Sequence, residues 1–195
     1  MQLISHVLLF AIASCLAVVG TGCGDGLTKG RAADALEKSF PTQGVCWATR
    51  DMANSRFPLR VNFDSSQRDG NAILGALAQS GLVSLSNKHV VGNANGLFGH
   101  QELLVELTDA GRQAQAWHEQ HGFCIGTKVV DDVLQWTEPT RASDVQVSRV
   151  SYTWRISRVP TWAREPAFQA LQGMDEPVEA TATLRKMNDG WAVVP

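Results

Sequence analysis

The first 24 residues contain no Lys, Arg, Asp or Glu, and the first ionisable acid or base on a side chain other than His6 is Asp25. Within that stretch, Val7 to Val19 reads VLLFAIASCLAVV, an unbroken apolar run. It is shorter than the roughly 20 residues a spanning helix needs. That argues against a transmembrane segment and fits the apolar core of an export signal. The leading MQLISH lacks the Lys or Arg such signals carry. Catalytic signatures are also missing. There is no GxSxG elbow, no CxxC pair and no Gly-rich phosphate loop. Excess charge is missing too. The net charge is −2, with both signs interspersed, so nothing points to nucleic acid or anionic lipid as a partner.

Cysteine is scarce. Of four, Cys15 falls inside the apolar run and Cys23 closes the stretch VGTGC. Gly20, Thr21 and Gly22 before Cys23 resemble a lipobox, the motif cut by the lipoprotein signal peptidase. Small residues let the extended backbone enter the peptidase, and the Cys23 thiol takes the lipid. Gly20 departs from the usual Leu or Val. Ile12 to Cys15 fits the pattern better residue by residue, but cutting there would leave a short apolar core and an apolar mature end. The expected division is a signal peptide over 1–22, a lipidated tether over 23–27 and a single globular domain over 28–195. The competing reading is a plain secreted protein. Gly24 in place of an Asp after the lipidated residue implies the outer membrane.

Cys46 and Cys124 remain for the domain. In an oxidising envelope an even pair tends to bridge. The alternative is two buried free thiols.

Hydrophobic spacing predicts the elements. Ala32, Ala33, Leu36 and Phe40 recur at helical intervals and Pro41 stops them. GVCWATR (Gly44–Arg50) and PLRVNF (Pro58–Phe63) read as strands. Asp69 to Ser80 reads as a helix that Gly81 ends. Asn87 to Gly99 reads as a loop and Glu102 to Thr108 as a strand. Thr108 then caps a helix expected over Asp109–His121, which Gly122 terminates. Beyond Gly122 the pattern is strand-rich: Gly122–Pro139, Asp144–Pro160, Val178 to Met187, and a last strand after the Asn188-Asp189-Gly190 turn. A short helix is expected around Pro166 to Gln172. The expected class is α+β: a mainly antiparallel sheet in the C-terminal half and a helical N-terminal part with a winged-helix-like order.

The winged-helix order rests on LGALAQSGLV and LLVELTDAGRQA. Gly70 to His121 carries two basic residues, Lys88 and Arg112, against Glu102, Glu106, Asp109 and Glu119. Phosphate contacts dominate duplex binding, so this sign opposes DNA. His118-Glu119-Gln120-His121 falls one residue short of HExxH, and the bland reading is a polar last helical turn. No metal or cofactor is expected. Asp131 and Asp132 should face opposite ways on a strand unless a bulge intervenes. Among six tryptophans, Trp162 follows Pro160 in a loop and is the candidate partner contact. Arg149 and Arg155, on a polar sheet face with Thr181, Thr183 and Arg185, are the second candidate. Their bland reading is a solvated face.

The segments FCIG (Phe123–Gly126), VLQWTEP (Val133–Pro139) and VSRVSYTWRISRVPTWA (Val147–Ala163) resemble a pattern in small bacterial lipoproteins. Those members often read FCYG where this chain has Ile125, and share the LTdaGr and closing dGW segments. The resemblance implies an envelope lipoprotein and carries over no activity or catalytic residue. The expected function is a non-enzymatic, periplasm-facing binding module, anchored by lipid and partnered with an envelope protein or ligand. The competing class is an envelope hydrolase or an accessory of cell-wall chemistry.

Overall fold

The structure is a computed structural model and describes residues 26–42, 44–52, 55–62, 68–90, 100–142 and 144–194. Cys15, Cys23 and the segment expected to be an export signal lie outside these residues.

Two antiparallel sheets organise the chain. Helix α1 (Lys29–Lys38) comes first, capped by Thr28, whose hydroxyl accepts from the Arg31 amide. Strands β1 (Val45–Trp47) and β2 (Leu59–Asn62), helix α2 (Arg68–Gln79), and strands β3 (Val83–Val90) and β4 (His100–Leu107) follow. Then come α3 (Asp109–Gln113), β5 (Trp117–His118), β6 (Gly122–Trp136), β7 (Thr140–Ala142) and β8 (Val145–Ser157). Helix α4 (Pro166–Gln169), β9 (Val178–Met187) and β10 (Gly190–Val194) finish the chain. The larger sheet runs β1-β6-β8-β9-β10, with β5 beside β6 and β7 beside β8; the smaller runs β2-β4-β3.

The alternation seen in the sequence becomes a division of faces. Val150, Tyr152 and Ile156 of β8 and Leu184 of β9 are buried, while Arg149, Arg155, Thr181, Thr183 and Arg185 are exposed. Two apolar clusters result. In one, Ala32, Ala35 and Leu36 of α1 cover Val133, Val150, Tyr152, Leu184 and Trp191. In the other, α2, α4 and the small sheet close over Phe123, Ile125 and Ile156. Trp154 packs against both clusters. The Lys128 ammonium lies 3.9 Å from the centre of its ring and 4.7 Å from that of Phe40. Burial lowers the Lys128 pKa there, because the charged form loses water.

The Cys46–Cys124 disulfide is present, with the two residues directly opposite on β1 and β6. It closes a loop that contains the whole small sheet.

Four expectations need correction. The helical, winged-helix-like N-terminal part is not supported: this part is built around the three-stranded β2-β4-β3 sheet, and α3 has only five residues. The helix expected over Asp109–His121 stops at Gln113. Gln115 adopts φ +48° and turns the chain, and Trp117 and His118 then pair with Phe123 and Gly122 as a hairpin. Cross-strand burial of Trp117 on Phe123, ring centres 5.0 Å apart, outweighs local helix propensity. Gly122 is accordingly not a helix terminator. It begins β6 at φ +95°, where a Cβ would lie 2.3 Å from the Trp47 carbonyl oxygen. Finally, β3 runs on through Val90, into the expected loop.

Candidate functional site

The residues expected to carry function fall in three separate places. Trp162 lines a depression of ≈ 240 Å³. One wall is the turn after β8. Arg158 takes φ +54°, which reverses the strand, and Pro160 opens the 3-10 turn Thr161–Arg164. The Arg164 guanidinium fastens this loop by donating to the Val159 carbonyl from Nε and Nη2, each at 3.3 Å. Trp162 is half-buried rather than free in a loop. Its ring meets the edge of Phe168 at 5.6 Å between centres.

The opposite wall is the chain after α3, Ala114 to Ala116, with Gln115 in its left-handed conformation. The Ala116 carbonyl accepts from the Cys124 amide at 3.0 Å, tying this wall to β6. Gly44 and Gly126 meet between the walls, so closely that a Cβ on Gly44 would lie 2.5 Å from the Gly126 oxygen. Cys124 also lines the depression. Two of the three non-glycine residues with positive φ in the described chain therefore border one hollow, held by the bridge beside it. Such backbone persists only where surrounding structure enforces it. The residues lining the hollow include Arg158, Trp162, Gln115, Thr42 and Thr127, whose side chains carry a guanidinium, an indole, an amide and hydroxyls. These groups pair with an anion, stack and hydrogen-bond. The volume is below the roughly 300–1,000 Å³ of whole-ligand sites. It is the size of a single side-chain-like group rather than of a whole ligand.

Arg149 and Arg155 lie elsewhere, on the open face of β8 and six residues apart. That separation is about 20 Å along a strand, so they cannot grip one small ligand. Arg155 donates from Nε to Asp131 Oδ1 at 2.9 Å. A register shift in β6 between Val130 and Asp132 supplies the bulge on which the carboxylate pair depended. The two acids nevertheless engage different cations. Asp131 holds Arg155, and Asp132 lies 2.5 Å from Lys29 of α1. The Lys29 hydrogen bond lowers the Asp132 pKa below the ordinary aspartate value.

His118 and His121 sit in the β5–β6 hairpin turn, with ring centres 4.6 Å apart and the Gln120 amide donating to His118 Nδ1 at 3.3 Å. Among the described residues no group of three or more His, Cys, Asp or Glu is placed to hold a metal. The larger hollow, ≈ 400 Å³, was not foreseen. It lies between α1 and the β9–β10 turn and is bordered by Arg31, Asp34, Lys38, Lys186, Asp189 and Trp191. Its charges come from residues distant in sequence, so no local motif announces it.

No family model, curated protein or solved structure matches the chain. No helix among the described residues is long and apolar enough to cross a membrane.

Proposed function

We propose that the protein is a lipid-anchored envelope lipoprotein, facing the periplasm from the outer membrane, that binds another protein or an envelope component through the hollow around Trp162. The observation that carries the binding role is that hollow: a shallow depression lined by residues that include Trp162, Arg158, Gln115, Thr42 and Thr127. Rigid aromatic and Arg anchors in such positions are the groups that dominate interface energies. The disulfide beside it supports an oxidising compartment. The uncharged apolar leader ending at Cys23 supports export and anchoring.

Crosslinking in the envelope followed by pull-down tests the reading. The parent protein should yield a discrete crosslinked partner, and Trp162→Ala and Arg158→Ala should each lose it while remaining folded. A partner retained by both variants and lost with Arg149→Ala and Arg155→Ala would move the site to the open sheet face.

A further inference from the structure

Trp191 is 8% exposed, and its indole Nε1–H is buried without a hydrogen-bond partner among the described residues. A buried donor left without an acceptor costs stability, and such groups are uncommon in folded proteins. This one belongs to a residue that borders a cavity. Trp191 lines the ≈ 400 Å³ hollow between α1 and the β9–β10 turn, and also its ≈ 210 Å³ continuation toward Ser39 and Val193. The larger part has the size of a small-molecule site, unlike the hollow around Trp162.

The strand register shows how the groove forms. Trp191 and Lys186 lie directly opposite each other on β10 and β9, so both side chains rise from one face of the sheet. That is the face α1 covers, because Leu184, two residues before Lys186, packs with Trp191 and with Ala32, Ala35 and Leu36. Helix α1 turns one flank toward β6, where Lys29 pairs with Asp132 and Glu37 accepts from the Val130 amide at 3.2 Å. Its other flank, with Arg31, Asp34 and Lys38, borders the hollow. At 1.5 Å per residue these three charges alternate in sign over about 10 Å of helix. Asp189 stands on the β9–β10 turn at the margin. A Cβ on Gly190 beside it would meet nothing within 4 Å, so the turn leaves the groove open. Among the described residues the exposed side chains of Asp34, Lys38 and Asp189 have no ion-pair partner.

We propose that this groove binds a small zwitterion, an amino acid or a short peptide, whose carboxylate accepts from Trp191 Nε1 and pairs with Lys38 and Lys186, and whose ammonium pairs with Asp34 and Asp189. The presence of both signs decides the class. Arg31, Lys38 and Lys186 favour an anionic oxygen, and an indole N–H can only donate. A phosphate would meet those groups but would also face two carboxylates, which repel it. A ligand with one carboxylate and one ammonium matches both sets, and the acids then discriminate against simple anions. Ala35, Met187 and the Trp191 ring add apolar wall for a short side chain. The site depends neither on the hollow around Trp162 nor on the anchor at Cys23.

The test uses isotope-labelled protein with its disulfide closed and follows the indole N–H resonance of Trp191 by NMR. The resonance is assigned by its loss in Trp191→Phe. Alanine and alanylalanine are the probes. At least one of them should shift the resonance saturably. A stronger response to alanine assigns the site to free amino acids, and a stronger response to alanylalanine assigns it to short peptides. N-acetylalanylalanine, which lacks the ammonium, and alanylalanine amide, which lacks the carboxylate, should each need roughly tenfold more for the same shift, the loss of one charged contact. Asp34→Asn and Lys38→Gln, both at exposed positions, should each raise the half-saturation concentration of the better probe by roughly threefold and leave the melting temperature unchanged. No shift with either probe would overturn the proposal. So would a response that both analogues or inorganic phosphate reproduce in full, or one that both substitutions leave intact.

Discussion

Replacing both Cys46 and Cys124 by Ala should lower the melting temperature by roughly 12 °C. The two residues are separated by 78 positions and face each other across β1 and β6. In the chain-entropy treatment, closing a loop of that length removes about 4.5 kcal/mol of conformational freedom from the unfolded chain. The unfolding entropy of about 2.1 cal/mol/K per residue, over the roughly 170 residues from position 26 onward, is about 0.36 kcal/mol/K and sets the conversion to temperature. The folded state should change little. The segment inside the loop is also held by the cluster that joins α2 and the small sheet to Phe123, Ile125 and Ile156. Using both substitutions avoids a leftover thiol. Calorimetry on the parent, the double variant and the parent with reductant is the assay. Reductant should reproduce the variant's shift in the parent and leave the variant unmoved. A shift below about 3 °C would refute the loop argument, since it would mean that the unfolded chain retains structure that already holds the two positions together.

Phe123→Ala should destabilise by about 3–5 kcal/mol in denaturant unfolding, the range for emptying a buried aromatic site. Phe123 is fully buried and meets Trp47, Phe57 and Trp117. The Lys29–Asp132 pair should give a small stability term with a defined pH dependence. Because the folded Asp132 pKa is lowered, the term is fully present above the ordinary aspartate value and is lost as pH falls through the lowered one. The melting difference between the parent and Asp132→Asn should therefore be present at neutral pH and vanish at the acid end; a difference that grows on acidification would contradict the pairing. Gly44→Ala should destabilise, because it forces a Cβ onto the Gly126 carbonyl at φ +84°. Gly30→Ala, with open space around it in α1, should raise stability by roughly 0.5–1 kcal/mol. Paired thermal melts compare the two glycine sites.

Elements whose burial repeats with one period were legible in the sequence. The alternation of β8 and β9 and the spacing of Ala32 and Leu36 in α1 each place a continuous apolar face against the core. The disulfide was legible because the domain offers only two cysteines. Where a long-range pairing competes with local preference, the sequence misleads. Asp109 to His121 carries good helix signals, yet Trp117 gains more by meeting Phe123 across a hairpin. The bulge at Asp131 depends on fitting β6 to β8, and nothing local encodes it. Trp162 was visible as a tryptophan after Pro160, but its hollow was not. Arg158 and Gln115 reach left-handed backbone without glycine or asparagine to mark the turns. The α1 groove joins residues more than 150 positions apart, which no window along the chain can reveal.

The mass of the N-terminal peptide of the protein taken from the membranes of a bacterium that makes it tests the account's central claim most directly. The account predicts a peptide that begins at Cys23 and carries acyl chains, and a Cys23→Ser protein that loses both the label and the membrane. A chain that begins elsewhere, or an unmodified Cys23 on protein released into the soluble fraction, would contradict it.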